Sequence, residues 1–243
     1  MASPYETVIA CVDELTDDTV RSMADLYLQH YDGSSDALFR QDLAEKDQAI
    51  LLYSAQQLVG FTTLKVFQHA WQQGPIRIVY SGDTIVSPAH WGQQKLAFAW
   101  IAQIGRIKRQ APHLPLYWFL LVKGHRTFKY LTVFGKSFFP HWAQDRSDLQ
   151  PLAEQLAREK FGALYNAGTG IVEFPQSRGH LCDALAQASA EELGKPATRF
   201  FLARNPGYRR GHELVCLCEL DLSNMMPLTA RIFGHALADP VGT

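Results

Sequence analysis

The spacing of apolar and polar residues predicts a chain that contains both helices and strands. The first helical pattern follows Thr16-Asp17-Asp18, where a polar cap and two acids precede apolar positions three and four residues apart, and it ends near 31–35. A second helical or irregular segment covers 37–46. Strands over 49–54 and 58–67 come next, and the Gln56-Gln57 step between them predicts a tight antiparallel turn.

The middle of the chain alternates between strands and helices. A long strand over 77–86 follows a break at Gln72-Gln73-Gly74-Pro75 and ends at Pro88. A helical pattern covers 92–110, and a dense apolar run over 116–122 predicts a buried strand. Residues 127–134 are again helical.

The second half predicts a helix over 152–161, a strand over 171–174, a helix over 182–193 and strands over 199–203 and 213–220. Pro206-Gly207 indicates a type II turn, so the last two strands are expected to form a hairpin with a basic tip. The sequence contains no repeat and no linker rich in Pro, Gly or Ser. We therefore expect one α/β domain over 1–243, with a mixed sheet covered on both faces.

Composition and charge narrow the class of protein. Of 243 residues 47% are hydrophobic, and 23 Lys and Arg against 24 Asp and Glu give a net charge of −1, which argues against disorder and against wholesale nucleic-acid binding. No stretch approaches the roughly 18 apolar residues of a membrane helix, and the N-terminus lacks the features of a secretory signal, so we expect a cytoplasmic protein. The four scattered cysteines predict reduced thiols, with no metal.

The segment between the strand over 77–86 and the next helix carries the candidate chemistry. The strand leads through a short loop at Pro88 into the helix, and such turns gather free backbone N–H groups at the positive end of the helix dipole. These amides make an anion site available, but they do not identify the anion.

This segment resembles the GNAT acyltransferase superfamily, many of whose members show Val-x-Pro and then Q/R-x-x-G-x-G/A at the start of a helix. Val86-Ser87-Pro88 matches the first part, and Gly92 stands where a loop glycine is often found. In the ungapped register Trp91, Gln94 and Leu96 replace the usual Arg or Gln, Gly, and Gly or Ala. Three residues further on, the sequence reads Q-x-x-A-x-A, with alanine for glycine. In either register a side chain replaces a glycine, which leaves less space for the backbone to approach a pyrophosphate.

The resemblance covers roughly residues 5–142 and implies a GNAT-like fold. That fold is a mixed, mostly antiparallel central sheet with a splayed pair of strands and helices on both faces, in which 1–147 would bind the donor and 148–243 would complete the sheet. It implies direct acyl transfer from a CoA or acyl-carrier-protein thioester to an amine. The residues expected to contact the donor are Ile85, Val86, Ser87, Trp91, Gly92, Gln93, Gln94, Lys95, Leu96 and Ala97.

Three side chains near the implied splay are candidate catalytic residues. Asp83 is a carboxylate in an otherwise apolar strand, and it is either a base or amine anchor with a raised pKa or a group satisfied by its neighbours. His125 follows the next strand, and it either faces the same cleft and takes the ammonium proton or caps a helix start. Tyr130 lies roughly where the superfamily keeps a tyrosine that protonates the thiolate, or it packs in the core.

Two further groups of residues allow functional and structural interpretations. The aromatic stripe consists of Phe128, Phe134, Phe138, Phe139 and Trp142, which form core or line a tunnel for a long acyl chain. Arg204, Arg209 and Arg210, at the expected hairpin tip, form a solvated turn or bind an acidic acceptor or carrier protein.

The sequence therefore predicts an N-acyltransferase that transfers an acyl group, of medium or long chain on one reading, to an amine of a small metabolite or a peptide side chain. The alternative is a non-catalytic module with a GNAT-like fold that binds an acyl thioester or a protein. A third hypothesis is a signal synthase that prefers a carrier protein to CoA. Acyl length, acceptor, donor carrier and oligomeric state stay open.

Overall fold

The structure is a computed structural model that describes residues 4–72 and 74–239. Its strands are β1 (Tyr5–Cys11), β2 (Tyr31–Asp32), β3 (Gln48–Ser54), β4 (Gln57–Trp71), β5 (Gly74–Val86), β6 (Leu116–Val122), β7 (Tyr165–Asn166), β8 (Ile171–Val172), β9 (His180–Leu181) and β10 (Glu213–Glu219). Its α-helices are α1 (Asp17–Leu28), α2 (Asp36–Leu43), α3 (Lys95–Gln110), α4 (His125–Phe134), α5 (Gln150–Phe161), α6 (Asp183–Ala186), α7 (Ala190–Leu193), α8 (Pro196–Arg204) and α9 (Pro227–Ala238). None of the helices in these two ranges combines the length and apolarity that crossing a membrane requires.

Eight of the strands form one sheet in the order β1-β3-β4-β5-β6-β10-β8-β7, and β2 pairs separately with β9. Neighbours in the large sheet are antiparallel except β5 and β6, which are parallel. The predicted fold class, a mixed and mostly antiparallel sheet with helices, is confirmed. Strands from the second half of the chain extend the same sheet beyond β6.

Both faces of the sheet are covered by helices because its central strands are apolar on both sides. Along β3, Ile50 and Leu52 pack in the same core cluster as α3 and α9, whereas Leu51 packs in a cluster with α1 and α2. On that second face α5 covers β5 and β6, with Leu152 packed in a cluster that also contains Ile78. The site described below lies where these layers meet at the ends of β5 and β6.

The helix that leaves the candidate segment packs closely against the C-terminal helix. Every third or fourth residue of α3, Ile101, Ile104 and Ile107 among them, is buried, as the predicted helical stripe requires. At Gly105 a Cβ atom would lie 2.7 Å from the carbonyl oxygen of Phe233 in α9. The two helices therefore cross at a contact that tolerates only glycine.

Several predicted boundaries differ in the first half of the chain. Strand β1 is missing from the sequence prediction because it is an edge strand whose Val8 and Ile9 are exposed, so no side of it alternates clearly. The turn between β3 and β4 lies at Ala55-Gln56, both with positive φ, one residue earlier than predicted. The break over 72–75 is the connection between β4 and β5, within which Gln73 lies outside the described residues.

The larger errors fall in the second half. The predicted strand over 199–203 is wrong, because these residues belong to α8, which begins at Pro196. The predicted hairpin is therefore also wrong, and Gly207 has a φ of −87° where a type II turn needs a positive value. The predicted helix over 182–193 is two short helices, α6 and α7, separated by extended backbone at Gln187. Helix α9 was not predicted.

Candidate active site

Strands β5 and β6 separate before they end. Their parallel pairing stops at Ser81 and Leu120, whereas β5 continues to Val86, still paired with β4 at Gly60. From residue 82 onwards, the edge of β5 that faces β6 therefore has no strand partner. The predicted splay is present, and it opens a wedge beside Asp83.

A β-bulge shapes β5 at the same point. The register of β4 and β5 shifts so that Gly82 and Asp83 together face the single residue Thr63. A Cβ atom at Gly82 would overlap Thr63 Oγ1 and would lie 2.6 Å from Lys46 Cε, so only glycine fits there. The bulge therefore changes the direction of β5 at Gly82 and Asp83.

Two cavities adjoin the wedge, one of about 490 Å³ and one of about 220 Å³. We call them the large and the small cavity. The large cavity lies between β5, α3 and α4, and the small cavity lies against α1, α2 and the end of α5. Tyr31, Thr84 and Thr127 line both, so the cavities meet where the strands part.

Most of the predicted donor-contacting residues line the large cavity. They are Ile85, Val86, Trp91, Gly92, Gln93, Gln94, Leu96 and Ala97, whereas Ser87 and Lys95 do not line it. Apolar side chains from α3, α4 and α9, such as Ile101, Val133 and Leu228, form much of the remaining wall. A cavity of this size and lining is typical of sites for extended, largely apolar ligands.

The N-terminus of α3 is partly occupied by a side chain of the protein itself. Gln93 Oε1 accepts hydrogen bonds from the backbone N–H groups of Lys95 at 2.7 Å and Leu96 at 3.3 Å. Gly92, with a φ of +90° and no atom within 4 Å of the position of a Cβ, leaves open space beside this end. An anion that binds both amides has to displace the Gln93 side chain.

Trp91 covers a backbone group of the unpaired edge. Its indole Nε1 donates a hydrogen bond of 2.8 Å to the carbonyl oxygen of Val86. The guanidinium of Arg126 lies 5.0 Å from the centroid of the Trp91 ring. Because Trp91 is 47% exposed, it forms the rim of the large cavity and not its core.

Asp83 lines the small cavity and has no hydrogen-bond partner within residues 4–72 and 74–239. Burial, together with the nearby carboxylate of Asp42, raises the pKa of Asp83 to about 6 against the opposing effect of Lys123. Neither neighbouring hydroxyl forms a hydrogen bond with it: Ser81 Oγ accepts from Trp118 Nε1, and Thr84 Oγ1 bonds to Thr62 Oγ1. Asp83 is thus a carboxylate with free lone pairs at the wedge.

The other two catalytic candidates, His125 and Tyr130, line the large cavity. His125 and Asp83 thus line different cavities, which meet at the wedge. His125 is 3% exposed at the first residue of α4, and its Nε2 lies 3.2 Å from Glu192 Oε1. Burial lowers the pKa of His125, against the opposing effect of Glu192, and burial raises the pKa of Tyr130.

Glu192 is a site residue that sequence reasoning missed. It closes a capping box with Ser189 at the start of α7 and also lies 3.1 Å from Arg126 Nε. Burial alone would raise the pKa of Glu192, but the hydrogen bond from the Ser189 backbone, the nearby His125 imidazole and the charge of Arg126 lower it to about 2. The Ser-x-x-Glu pattern was a sequence signal for the cap. Its contact with His125 depends on tertiary structure.

The remaining candidates lie away from the wedge. Of the aromatic stripe only Phe134 lines the large cavity, since Phe128 and Phe138 are fully buried in the core and Phe139 packs on the opposite face of the sheet. Arg209 pairs with Asp183 at 2.8 Å, and neither cavity is lined by the arginines of this turn. In the described ranges, no three His, Cys, Asp or Glu side chains group in a way that could hold a metal ion.

Comparisons with known proteins find similarity among solved structures only. No family profile and no curated protein matches the chain. One similar structure is a conserved protein from Enterococcus faecalis V583, described as a probable N-acyltransferase, with 12% identity over 55% of this chain and 33% of that one and a TM-score of 0.41. A GNAT family N-acetyltransferase from Escherichia coli, in complex with CoA, has 15% identity over 55% and 71% of the two chains and a TM-score of 0.39. A ribosomal-protein-alanine N-acetyltransferase from Brucella melitensis biovar Abortus 2308 has 14% identity over 58% and 96% and a TM-score of 0.41.

The matched region is thus 55–58% of this chain in all three comparisons, and it corresponds to about a third of the Enterococcus protein. With 12–15% identity and TM-scores of 0.39–0.41, the three proteins are similar to this chain in fold alone.

Proposed function

We propose that this protein is an N-acyltransferase that moves an acyl group from a CoA or carrier-protein thioester to an amine. The observation that supports this most is the wedge between β5 and β6, with a separate cavity on each side of it. The large cavity takes the thioester, and the small cavity takes the amine. The carbonyl carbon then lies near Thr84, which lines both.

Donor binding uses backbone more than side chains. The free edge of β5 over 82–86 presents N–H and C=O groups to the amide-rich arm of a pantetheine, as an added strand would. The start of α3 then supplies amides and a positive dipole end for a phosphate. The apolar wall from Ile101, Val133 and Leu228 favours an acyl group longer than acetyl.

The transfer step requires one proton acceptor and one proton donor. The neutral amine nitrogen attacks the carbonyl carbon, the C–N bond forms, and the C–S bond breaks with its electron pair leaving on sulfur. Asp83, ionised above a pKa of about 6, takes the proton that the nitrogen loses. Tyr130, whose pKa is raised by burial, keeps its phenolic proton at neutral pH and gives it to the thiolate.

His125 is a second candidate for the proton acceptor, the role that the sequence predicts for it. Because burial lowers the pKa of His125, its neutral imidazole is favoured, and that form can accept a proton. Asp83 is the stronger candidate because it lines the small cavity, whereas His125 lines the large one. The contact of His125 with Glu192 makes it a residue that can hold α7 against the large cavity.

The test is release of free thiol from acetyl-, octanoyl- and palmitoyl-CoA, and from an acylated carrier protein, in the presence of a panel of amines. We expect amine-dependent release that Asp83→Asn lowers roughly 10²–10⁴-fold. The matched control is Asp25→Asn, at an exposed position of α1, which should leave the rate unchanged. Absence of amine-dependent release with every thioester would contradict the proposal.

A non-catalytic module that binds a thioester is the second candidate, and one observation favours it. Gln93 already satisfies two amides at the start of α3, which weakens the phosphate site of an enzyme that must exchange its donor. Thermal stabilisation by CoA without turnover would support this candidate over the enzyme.

A further inference from the structure

The small cavity is lined by charged side chains that largely neutralise one another. Lys123 Nζ lies 3.1 Å from Glu213 Oε1, and Lys160 Nζ lies 2.8 Å from Glu45 Oε2. Asp42 forms an ion pair with Lys46, whose side chain is fully buried and whose Nζ lies 2.6 Å from Asp42 Oδ2. Three of the carboxylates at this cavity therefore already have a cation.

Two charged residues of the same cavity have no such partner. Within residues 4–72 and 74–239, neither Asp83 nor Arg178 forms an ion pair or a side-chain hydrogen bond. Asp83 lies at the inner end, on β5 where the strands part. Arg178 is exposed in the segment between β8 and β9, where its guanidinium lies 6.0 Å from the ring centroid of Phe174. The cavity thus holds one unmatched negative charge inside and one unmatched positive charge at its rim.

We propose that the small cavity binds a small amine that also carries an anionic group, with the amine nitrogen at Asp83 and the anionic group at Arg178. This inference rests on the proposed function, because it names the class of acceptor for the same wedge. A guanidinium presents a planar pair of donors that matches a carboxylate or a phosphate. An amine without an anionic group leaves Arg178 unmatched, and an anion without an amine leaves Asp83 unmatched.

Size restricts the acceptor further. The volume of about 220 Å³ is below the roughly 300–1,000 Å³ of pockets that hold drug-sized ligands. Aromatic side chains, including Tyr27, Tyr31 and Tyr80, line the walls, where Lys123 lies over the Tyr31 ring and Lys160 over the Tyr80 ring. A molecule the size of an amino acid fits these limits, whereas a lysine side chain of a protein brings no anionic group of its own to Arg178.

The test compares acceptors that differ only in the anionic group. The pairs are L-ornithine with putrescine, β-alanine with ethylamine, and O-phosphoethanolamine with ethanolamine, which also separate carboxylate from phosphate. We expect the wild-type kcat/KM to be roughly 10–100-fold higher for the anionic member of at least one pair. Arg178→Gln should reduce that ratio to about one by lowering only the anionic member.

Two variants serve as controls. Arg231→Gln, at an exposed position of α9 away from both cavities, should keep the wild-type ratio. Asp83→Asn should lower kcat/KM for both members of a pair by the same factor, since both use the amine. Equal rates within every wild-type pair, or an Arg178→Gln loss shared by both members, would overturn the inference while leaving N-acylation itself intact.

A binding measurement keeps the inference separate from the proposed function. If no amine is acylated, the proposed function fails, and calorimetric titration of the same six amines into the CoA-saturated wild type and Arg178→Gln proteins still decides the inference. Tighter binding of the anionic members that Arg178→Gln abolishes would support it, and equal binding would refute it.

Discussion

At the scale of single residues, Asp83 is held in surroundings that oppose its charge. Burial and the carboxylate of Asp42 raise its pKa from the ordinary value of 3.8 to about 6. The folded state therefore binds this proton more tightly than the unfolded chain does. The contribution of Asp83 to stability consequently becomes less favourable as the pH rises from about 4 to about 6.

Replacement of Asp83 by Asn should stabilise the protein at neutral pH. A pKa raised from 3.8 to about 6 corresponds to at most about 3 kcal/mol, so we expect Asp83→Asn to raise the free energy of unfolding by about 1–3 kcal/mol at pH 7.5. Because Asp83 is protonated in both states at about pH 2.5, well below its ordinary pKa of 3.8, the gain should vanish there. Urea denaturation at both pH values measures it. A loss of stability at pH 7.5 would show that the carboxylate has a structural partner, and Asp25→Asn should change nothing.

At the scale of elements, α3 links the proposed donor site to the rest of the fold. Its start lies at the large cavity, and its middle crosses α9 at Gly105. A substitution at the start should therefore affect binding, whereas a substitution at the crossing should affect packing.

The crossing of α3 and α9 predicts that replacement of glycine by alanine changes stability in opposite directions at Gly105 and at Gly234. In Gly105→Ala the new Cβ would lie 2.7 Å from Phe233 O and 2.9 Å from Ala236 Cβ, so the helices must move apart, at a cost of about 1–3 kcal/mol. In Gly234→Ala, on α9, the nearest atom is Leu222 Cδ2 at 3.7 Å, and the better helix propensity should stabilise by about 0.5–1 kcal/mol. Thermal denaturation of both variants checks this. Equal effects would contradict the close crossing.

The Gln93 contacts at the start of α3 predict that removing this side chain lowers the stability of the free protein and raises its affinity for CoA. Gln93→Ala removes the acceptor of the Lys95 and Leu96 amides, which should cost the free protein about 0.5–2 kcal/mol. The same change frees those amides for a phosphate, so CoA should bind several-fold more tightly in calorimetry. Gln94→Ala is the control for stability alone, because the Gln94 side chain makes no capping bond although it lines the large cavity. Weaker CoA binding by Gln93→Ala would mean that Gln93 contacts the donor directly.

Elements with one clear period were predictable from the sequence, and elements whose identity depends on context were not. The stripe of α3 and the apolar run of β6 signal a helix and a buried strand by themselves. The four-residue apolar run over 200–203 fits either a strand or a helix turn, and Pro196, at the first position of α8, favours the helix. Edge strand β1, half-exposed on both sides, offers no period at all.

Some residues of the candidate site were likewise predictable from the sequence, and others were not. Asp83 stands out in the sequence because a lone carboxylate in an apolar strand needs an explanation, and Trp91 and Gly92 follow from the loop motif. Arg178 and Glu192 gave no comparable signal, because their roles depend on how the segment between β8 and α8 folds back onto the wedge. Contacts made across 50 or more residues, such as Arg126 with Glu192, are not encoded in local spacing.

At the scale of the whole molecule, the two cavities lie on different sides of one opening, so both substrates can be present together. The second half of the chain contributes to each: Glu213 of β10 and Arg178 to the small cavity, and Leu181, Leu185 and Glu192 to the large one. The residues after β8 are therefore part of both walls and not only an extension of the sheet.

This arrangement predicts a sequential kinetic mechanism. The amine at the small cavity can reach a thioester at the large cavity through the wedge, so no acyl group needs to be stored on the protein. Initial rates measured against both substrates should give intersecting lines in double-reciprocal plots. Parallel lines, together with an acylated protein detected by mass spectrometry, would contradict direct attack.

The hydrogen bond from Trp91 to the carbonyl of Val86 has an optical consequence. A pantetheine arm that lies along the free edge of β5 competes with the indole for that carbonyl oxygen, and it also alters the stacking of Arg126 on the ring. Binding of a donor in the large cavity should therefore change the fluorescence emission of Trp91, which is 47% exposed. Trp100 and Trp118 are buried, so their emission should change little. We therefore expect CoA binding to be measurable by intrinsic tryptophan fluorescence, and Trp91→Phe should remove this signal.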